Sequence, residues 1–221
     1  MRSLPLPLTL SARLAPVAVL AVSGWALSSG PSTPAAENKP GQDNGSQSPT
    51  APATAAASKA YDAAPAPCTS IPVKTVKSLV PGAKTAGKEI ASTDSKVRRT
   101  CSWNALKGYD YRWLDVSFEV MDSEEAAEKS YKQRLSDDSG GGDVPGLGDA
   151  GYSVVNLTTQ DKQQTREGVV VVRSSNALVV ITYNGSNFES KKAPSTDEIN
   201  KGAIKAAKDA VATLEDGQKK G

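Results

Sequence analysis

Histidine is absent from all 221 residues of the sequence. That absence excludes Ser-His-Asp and Cys-His catalysis, and it excludes any metal site that needs an imidazole ligand. The nucleophile motifs G-x-S-x-G and S-x-x-K are missing as well. Composition leaves Ser-Lys and paired-carboxylate chemistry open, but no motif supports either of them. We therefore expect the chain not to be an enzyme.

The sequence also lacks an apolar run long enough for a confident transmembrane helix, which needs about 20 residues. The apolar run at residues 14–22 has the length of a signal-peptide core, with Arg2 and Arg13 before or beside it and small residues after it. Residues 1–30 are therefore predicted to be a signal peptide or an N-terminal signal anchor, which would touch the membrane only if uncleaved. No cysteine directly follows the run, so no lipid anchor is expected by that route.

Cysteine is scarce, with only Cys68 and Cys101 in the chain. They form no C-x-x-C redox motif, and two thiols are too few for a structural zinc site. In an exported chain such a pair predicts one disulfide. A bridge of this span contributes about 4 kcal/mol in the chain-entropy model. We predict no metal and no cofactor.

Excess charge is lacking beyond the N-terminal region. Residues 1–60 hold four of the 26 cations and two of the 24 anions, which leaves 22 of each for residues 61–221. A nucleic-acid partner requires clustered Lys and Arg without matching acids, so none is expected.

Large apolar side chains are scarce in residues 31–66, which are rich in Pro, Ala, Ser and Thr. This composition cannot offset the entropy cost of ordering the chain, so a disordered linker is predicted there. The folded domain is predicted to occupy residues 67–216, followed by a disordered tail at residues 217–221.

Five stretches of the domain have the alternating or continuous apolar pattern of strands. They are residues 96–104, 111–121, 152–157, 168–173 and 177–183. Three helices are predicted from their capping residues, which are Thr69 or Ser70, Asp122 or Ser123, and Ser195 with Glu198. No βαβ unit repeats. We therefore predict an α+β domain, with an antiparallel sheet of about five strands and helices packed mainly on one face.

Gly146, Gly148 and Gly151 match G-x-G-x-x-G, the fingerprint of a dinucleotide-binding loop. That loop needs a strand before the glycines and a helix after them, because the helix N-terminus binds the pyrophosphate. Here a glycine-rich loop precedes the motif and a β-branched strand follows it. We predict a turn at Gly148 and Asp149 and a strand beginning at Tyr152, with no nucleotide.

An oxygen-rich loop contains Asp137, Asp138, Ser139 and Asp143. Calcium favours such oxygens, but the spacing is not that of an EF-hand. A solvated helix end is the expected interpretation.

Four aromatic residues surround one strand connection: Trp103, Tyr109, Tyr111 and Trp113. The side chain of Trp113 falls on the polar face of its strand, and the side chain of Leu114 falls on the opposite, apolar face. Two interpretations are open. The rings line a ligand groove or an interface, or a helix covers that face and the rings belong to the core.

Three short motifs resemble a family of secreted and lipoprotein domains from actinobacteria, which is known as a domain of unknown function. They are Pro67-Cys68 before a helix, Cys101-Ser-Trp103 in the first strand, and the segment from Val144 to Ala150. The extracellular sensor domains of some mycobacterial serine/threonine kinases are similar in a looser way. The resemblance covers residues 67–216 and implies a cell-envelope location. Family members usually carry a lipobox cysteine, and this chain departs from them there.

The sequence therefore predicts an exported cell-envelope protein with a non-catalytic, monomeric domain that binds an unidentified ligand or protein partner. The alternatives are an enzyme that acts on the cell wall through carboxylates, and a purely structural envelope domain.

Overall fold

The computed structural model of the protein describes residues 59–138 and 140–218. The predicted signal segment at residues 1–30 lies outside the described residues, as do residues 31–58 of the predicted linker and residues 219–221 of the tail. Within the described residues, no helix is long and apolar enough to cross a membrane.

Seven strands form a single antiparallel sheet in the order β1-β2-β3-β7-β6-β5-β4. The strands are β1 (Lys88–Ile90), β2 (Arg98–Lys107), β3 (Asp110–Val120), β4 (Gly142–Asp143), β5 (Ala150–Gln160), β6 (Gln163–Ser174) and β7 (Ala177–Asn187). Each of the five long strands overlaps one predicted strand. The prediction at residues 96–104 began two residues before β2, and the one at residues 111–121 ended one residue after β3. The prediction of about five missed β1 and β4, because three and two residues are too short to show an apolar pattern.

A two-residue turn at Gly108 and Tyr109 joins β2 to β3. Gly108 has a φ of 61°, a left-handed conformation that costs glycine little. The turn places Trp103 opposite Leu114 and Asn104 opposite Trp113. Because paired residues point their side chains to the same side of a sheet, this register decides which face each ring occupies.

The three helices are α1 (Val73–Leu79), α2 (Glu124–Asp137) and α3 (Thr196–Gln218), and a short 3₁₀ turn, Pro67–Thr69, precedes α1. α1 and α3 cover one face of the sheet, where they form the main core with the even-numbered apolar residues of β3. α2 packs on the other face, where Tyr131 clusters with Val171 and Leu178. Helices therefore lie on both faces, because β6 and β7 are apolar on both sides and need two covers.

The predicted caps of the two longer helices are present in part. Ser123 is the N-cap of α2 and accepts the Ala126 N–H at 3.2 Å. Before α3, Ser195 Oγ accepts the Glu198 N–H at 3.1 Å. The Glu198 carboxylate binds the Arg112 guanidinium at 2.8 Å, so only one half of the capping box forms.

The predicted disulfide is confirmed between Cys68 and Cys101, with Cα atoms 5.1 Å apart. Cys101 lies in β2 and is fully buried. The bridge therefore ties the 3₁₀ turn before α1 to the centre of a core strand.

The glycine motif shapes the entry to β5. Gly148 has a φ of 52°, and a Cβ there would lie 2.4 Å from the Arg173 carbonyl oxygen. Asp149 accepts the Ser175 N–H at 2.7 Å and the Arg173 guanidinium at 3.1 Å. Gly148 and Asp149 thus pack against and hydrogen-bond to the β6–β7 hairpin at Arg173 and Ser175. Tyr152 lies within β5, which begins two residues earlier, at Ala150.

The start of the described chain corrects the predicted linker boundary at residue 66. Tyr61 and Ala64 are buried in the main core, and the Ala64 N–H donates to the Lys96 carbonyl at 2.7 Å. The Tyr61 hydroxyl is 3.1 Å from the Ser174 hydroxyl. Residues 60–66 therefore belong to the domain. Their small and proline-rich composition resembles a linker, and one tyrosine carries most of the contact.

Asn176, in the β6–β7 turn, fixes this N-terminal segment. Its side chain is fully buried and makes four hydrogen bonds. Oδ1 accepts the N–H groups of Ala60 and Tyr61 at 2.9 and 2.8 Å. Nδ2 donates to the carbonyls of Tyr61 and Met121, both at 2.8 Å. The amide thus uses its full bonding capacity.

Replacing Asn176 with Ala should lower the free energy of unfolding by about 3 kcal/mol, because buried backbone groups would lose their partners. Urea denaturation followed by circular dichroism measures this. Asn184→Ala, in the strand that follows the turn, is the matched control. Its side chain is only partly buried, so its effect should stay within about 0.5 kcal/mol. Equal losses in the two variants would contradict the role given to Asn176.

Candidate functional site

The structure divides the four predicted aromatic residues between the two faces of the sheet. Trp103 is 1% exposed and belongs to the main core, where its Nε1 donates to the Thr85 carbonyl at 3.1 Å. Trp103 is therefore not part of a ligand surface, and the core interpretation is correct for it. The reason is the register, since Trp103 pairs with Leu114 and shares its inward direction.

The other three aromatic residues are accessible. Tyr109 is exposed at the tip of the β2–β3 hairpin, and Tyr111 and Trp113 are half-buried on the face that carries α2. The rings of Tyr111 and Trp113 meet edge to face, with centroids 6.3 Å apart and planes at 77°. Phe188 extends this group, with its ring centroid 6.0 Å from that of Tyr111.

A carboxylate adjoins the rings. Asp115 lies two residues after Trp113, and its Oδ1 accepts the indole N–H at 2.6 Å. Burial raises the pKa of Tyr111, and the negative charge of Asp115 raises it further. The rings therefore have a negative potential beside them, while Asp115 retains acceptor sites for other donors.

Polar side chains flank Trp113 across the sheet. Asn104 lies opposite it on β2 and Asn184 lies opposite it on β7, and Glu167 of β6 lies opposite Asn184. Thr182 of β7 lies opposite Asp115 in the same way. Paired residues share a face. We call this surface the open face, and it comprises Asn104, Leu106, Tyr111, Trp113, Asp115, Glu167, Thr182, Asn184 and Phe188.

α2 covers the other end of the same face. Tyr131 packs with Val171 and Leu178 there, whereas Trp113 and Asp115 stay partly exposed. Asp115 also borders a depression of about 560 Å³, whose other walls include Ile90, Val97, Arg98 and Thr100. The open face thus continues from the rings of Tyr111 and Trp113, near the β2–β3 turn, toward the β1–β2 connection.

Sequence reasoning missed Phe188, Asn184, Glu167 and Thr182 as neighbours of the rings. Strand alternation gives the face of each residue within its own strand, but it does not show that β3 pairs with β7. That pairing joins strands separated by α2, β4, β5 and β6. The single available signal was Asp115, two residues from Trp113 on the predicted polar face.

The most buried carboxylate bears on the enzyme alternative. Glu119 is 6% exposed, and its Oε2 lies 2.7 Å from Arg134 Nη2. Its Oε1 lies 3.5 Å from Arg98 Nε without hydrogen-bond geometry. Two guanidinium groups compensate the buried charge, which is what a structural ion pair requires.

The oxygen-rich loop does not gather into a cation site. Asp137 ends α2 and Asp143 lies in the edge strand β4, and Ser139 lies outside the described residues. Across residues 59–138 and 140–218, no group of three or more acidic or cysteine side chains is placed to hold a metal ion.

Comparison with known proteins gives little. No protein-family model matches the chain, and no curated protein matches it significantly. Among solved structures, a crystal structure from Bacteroides thetaiotaomicron VPI-5482 aligns with 9% identity over 50% of each chain, with a TM-score of 0.31. The alignment is too partial to support a conclusion about this chain.

The division of the tryptophans can be tested by fluorescence quenching with acrylamide. Trp25, outside the described residues, is first replaced with Phe, so that Trp103 and Trp113 alone emit. Further replacement of Trp113 with Phe should shift the emission to shorter wavelength and sharply reduce quenching, because Trp103 is buried. Unchanged quenching after the second replacement would show that Trp113 is not the accessible ring.

Proposed function

We propose that this protein is an exported, non-catalytic binding protein of the cell envelope, and that the open face is its binding surface. The observation that carries the proposal is the edge-to-face pair of Tyr111 and Trp113, which stays partly exposed beside Asp115. Aromatic rings at the centre of a surface patch are the usual anchors of binding sites.

Two further features support the location. The disulfide between Cys68 and Cys101 is compatible with an oxidising compartment outside the cytoplasm. The apolar run at residues 14–22 after Arg2 supports export. The resemblance to actinobacterial secreted domains points to the same location.

The carboxylate-enzyme alternative has weaker support. Its best candidate acid, Glu119, is held between Arg134 and Arg98. A general acid must lie within hydrogen-bond reach of its substrate, and the Glu119 side chain is only 8% exposed. The purely structural alternative does not explain why the rings of Tyr111 and Trp113 are partly exposed on a part of the sheet that no helix covers, because exposed apolar patches usually mark interaction sites.

The proposal is tested by affinity capture. The full-chain protein is immobilised, and a solubilised envelope fraction of the source organism is passed over it. Wild type should retain an envelope component that Trp113→Ala loses. Leu157→Ala, which truncates an exposed apolar residue of β5, is the matched control and should retain it.

Circular dichroism of both variants shows whether they keep the wild-type fold. Retention that is equal in wild type and in folded Trp113→Ala would remove the open face as the binding surface.

A further inference from the structure

Three polar side chains of the open face carry hydrogen-bonding groups that the described part of the domain leaves unused. Asn104 and Asn184 flank Trp113 from the two neighbouring strands, and Glu167 follows Asn184. Within the described residues, none of these three side chains makes a hydrogen bond to another group of the protein. They are therefore available to a ligand.

A second unused group lies beside Asp115. Ser102 is its cross-strand partner on β2 and is 8% exposed. Its hydroxyl oxygen has no hydrogen-bond partner among the described residues. A buried polar atom without a partner is costly, so such an atom marks a position where water or a ligand binds.

The chemistry of these groups describes the ligand. The amides of Asn104 and Asn184 offer N–H donors as well as carbonyl acceptors, the Ser102 hydroxyl offers both, and the carboxylates of Asp115 and Glu167 only accept. A matching ligand must therefore carry donors and acceptors together. A cation offers no hydrogen-bond acceptor and would leave the amide N–H groups unsatisfied.

Charge bears on the class of ligand. The open face contains the carboxylates Asp115 and Glu167, and two cations adjoin it: Lys88 lies opposite Ser102 on β1, and Arg98 borders the depression beside Asp115. Charges of both signs are therefore balanced along the surface, and neither a polyanion nor a polycation meets a field of one sign. The charge pattern thus favours a neutral ligand.

A protein partner fits less well. The buried centre of a protein–protein interface is apolar and poor in charged residues. Here the central ring, Trp113, has amides on both sides and a carboxylate on its indole N–H. The surface is also long, because Tyr111 to Asp115 along β3 spans about 13 Å at the rise of a strand. The depression beside Asp115 extends it.

We propose that the open face binds a neutral, linear glycan. A pyranose ring has an apolar C–H face that packs on the Trp113 ring. Its hydroxyl groups donate to and accept from the amides of Asn104 and Asn184, and they donate to the Glu167 carboxylate. Successive sugar units extend along β3, from the ring of Tyr111 toward Thr100. This inference rests on the proposed function and names the ligand class of the same surface.

Isothermal titration calorimetry of the full-chain protein with neutral hexasaccharides tests it. The probes are cellohexaose, xylohexaose, mannohexaose and N-acetylchitohexaose, and polygalacturonate is the anionic comparison. At least one neutral probe should bind. Trp113→Ala should weaken that binding by about tenfold or more, and Asn184→Ala by about fivefold. Leu157→Ala should leave it unchanged.

Several results would overturn the inference. They are no binding of any neutral probe at millimolar concentration, binding of polygalacturonate alone, or equal binding by wild type and Trp113→Ala. If Trp113→Ala does not fold, Asn184→Ala decides by the same criterion.

Affinity capture separates the two proposals. If the protein captures an envelope protein in a way that depends on Trp113 but binds no neutral hexasaccharide, the glycan proposal is refuted. The proposal that the open face is a binding surface would then still be supported. No dependence on Trp113 in either experiment would refute both.

Discussion

The pairing of β2 with β3 through the turn at Gly108 and Tyr109 is the constraint on which the rest of the structure depends. It places Trp103 against Leu114 inside the core and Trp113 beside Asn104 on the opposite face. Strand side chains alternate with period two, so a slip of one residue would exchange these positions. The disulfide strengthens this register, because Cys101 lies two residues before Trp103 and is bridged to Cys68 at the entry to α1.

The open face follows from a mismatch in the lengths of the helices. α3 has 23 residues, about 35 Å at the helical rise, which is enough to cross the sheet on its own side. α2 has 14 residues, about 21 Å, and its cluster of Tyr131 with Val171 and Leu178 covers one end of the opposite face. The other end keeps amides, carboxylates and rings accessible to solvent. The fold thus leaves this part of the sheet exposed, while the main core lies on the opposite face.

Local patterns were sufficient for the elements whose contacts are local. The alternation in β3, the alanine-rich stripe of α3 and the cap at Ser123 all predicted what forms. Pairs distant in sequence were not predictable in this way. The hydrogen bond from the Tyr61 backbone to Asn176 joins residues that are 115 positions apart, and no periodic pattern in the sequence predicts it.

The candidate site shows the same limit. Trp113 was recognisable as a residue on a polar face, but whether a helix covers that face depends on where α2 packs. Its partners Asn184 and Glu167 come from β7 and β6, and the neighbours of β3 are a property of the topology.

The central claim is that Trp113, and not Trp103, meets the ligand. The indole N–H signals of the two residues in a ¹H–¹⁵N correlation spectrum test it most directly, during titration with the neutral hexasaccharide that binds most tightly. The account predicts a progressive shift of the Trp113 signal and a constant Trp103 signal. A constant Trp113 signal at saturation, or equal shifts of both signals, would contradict it.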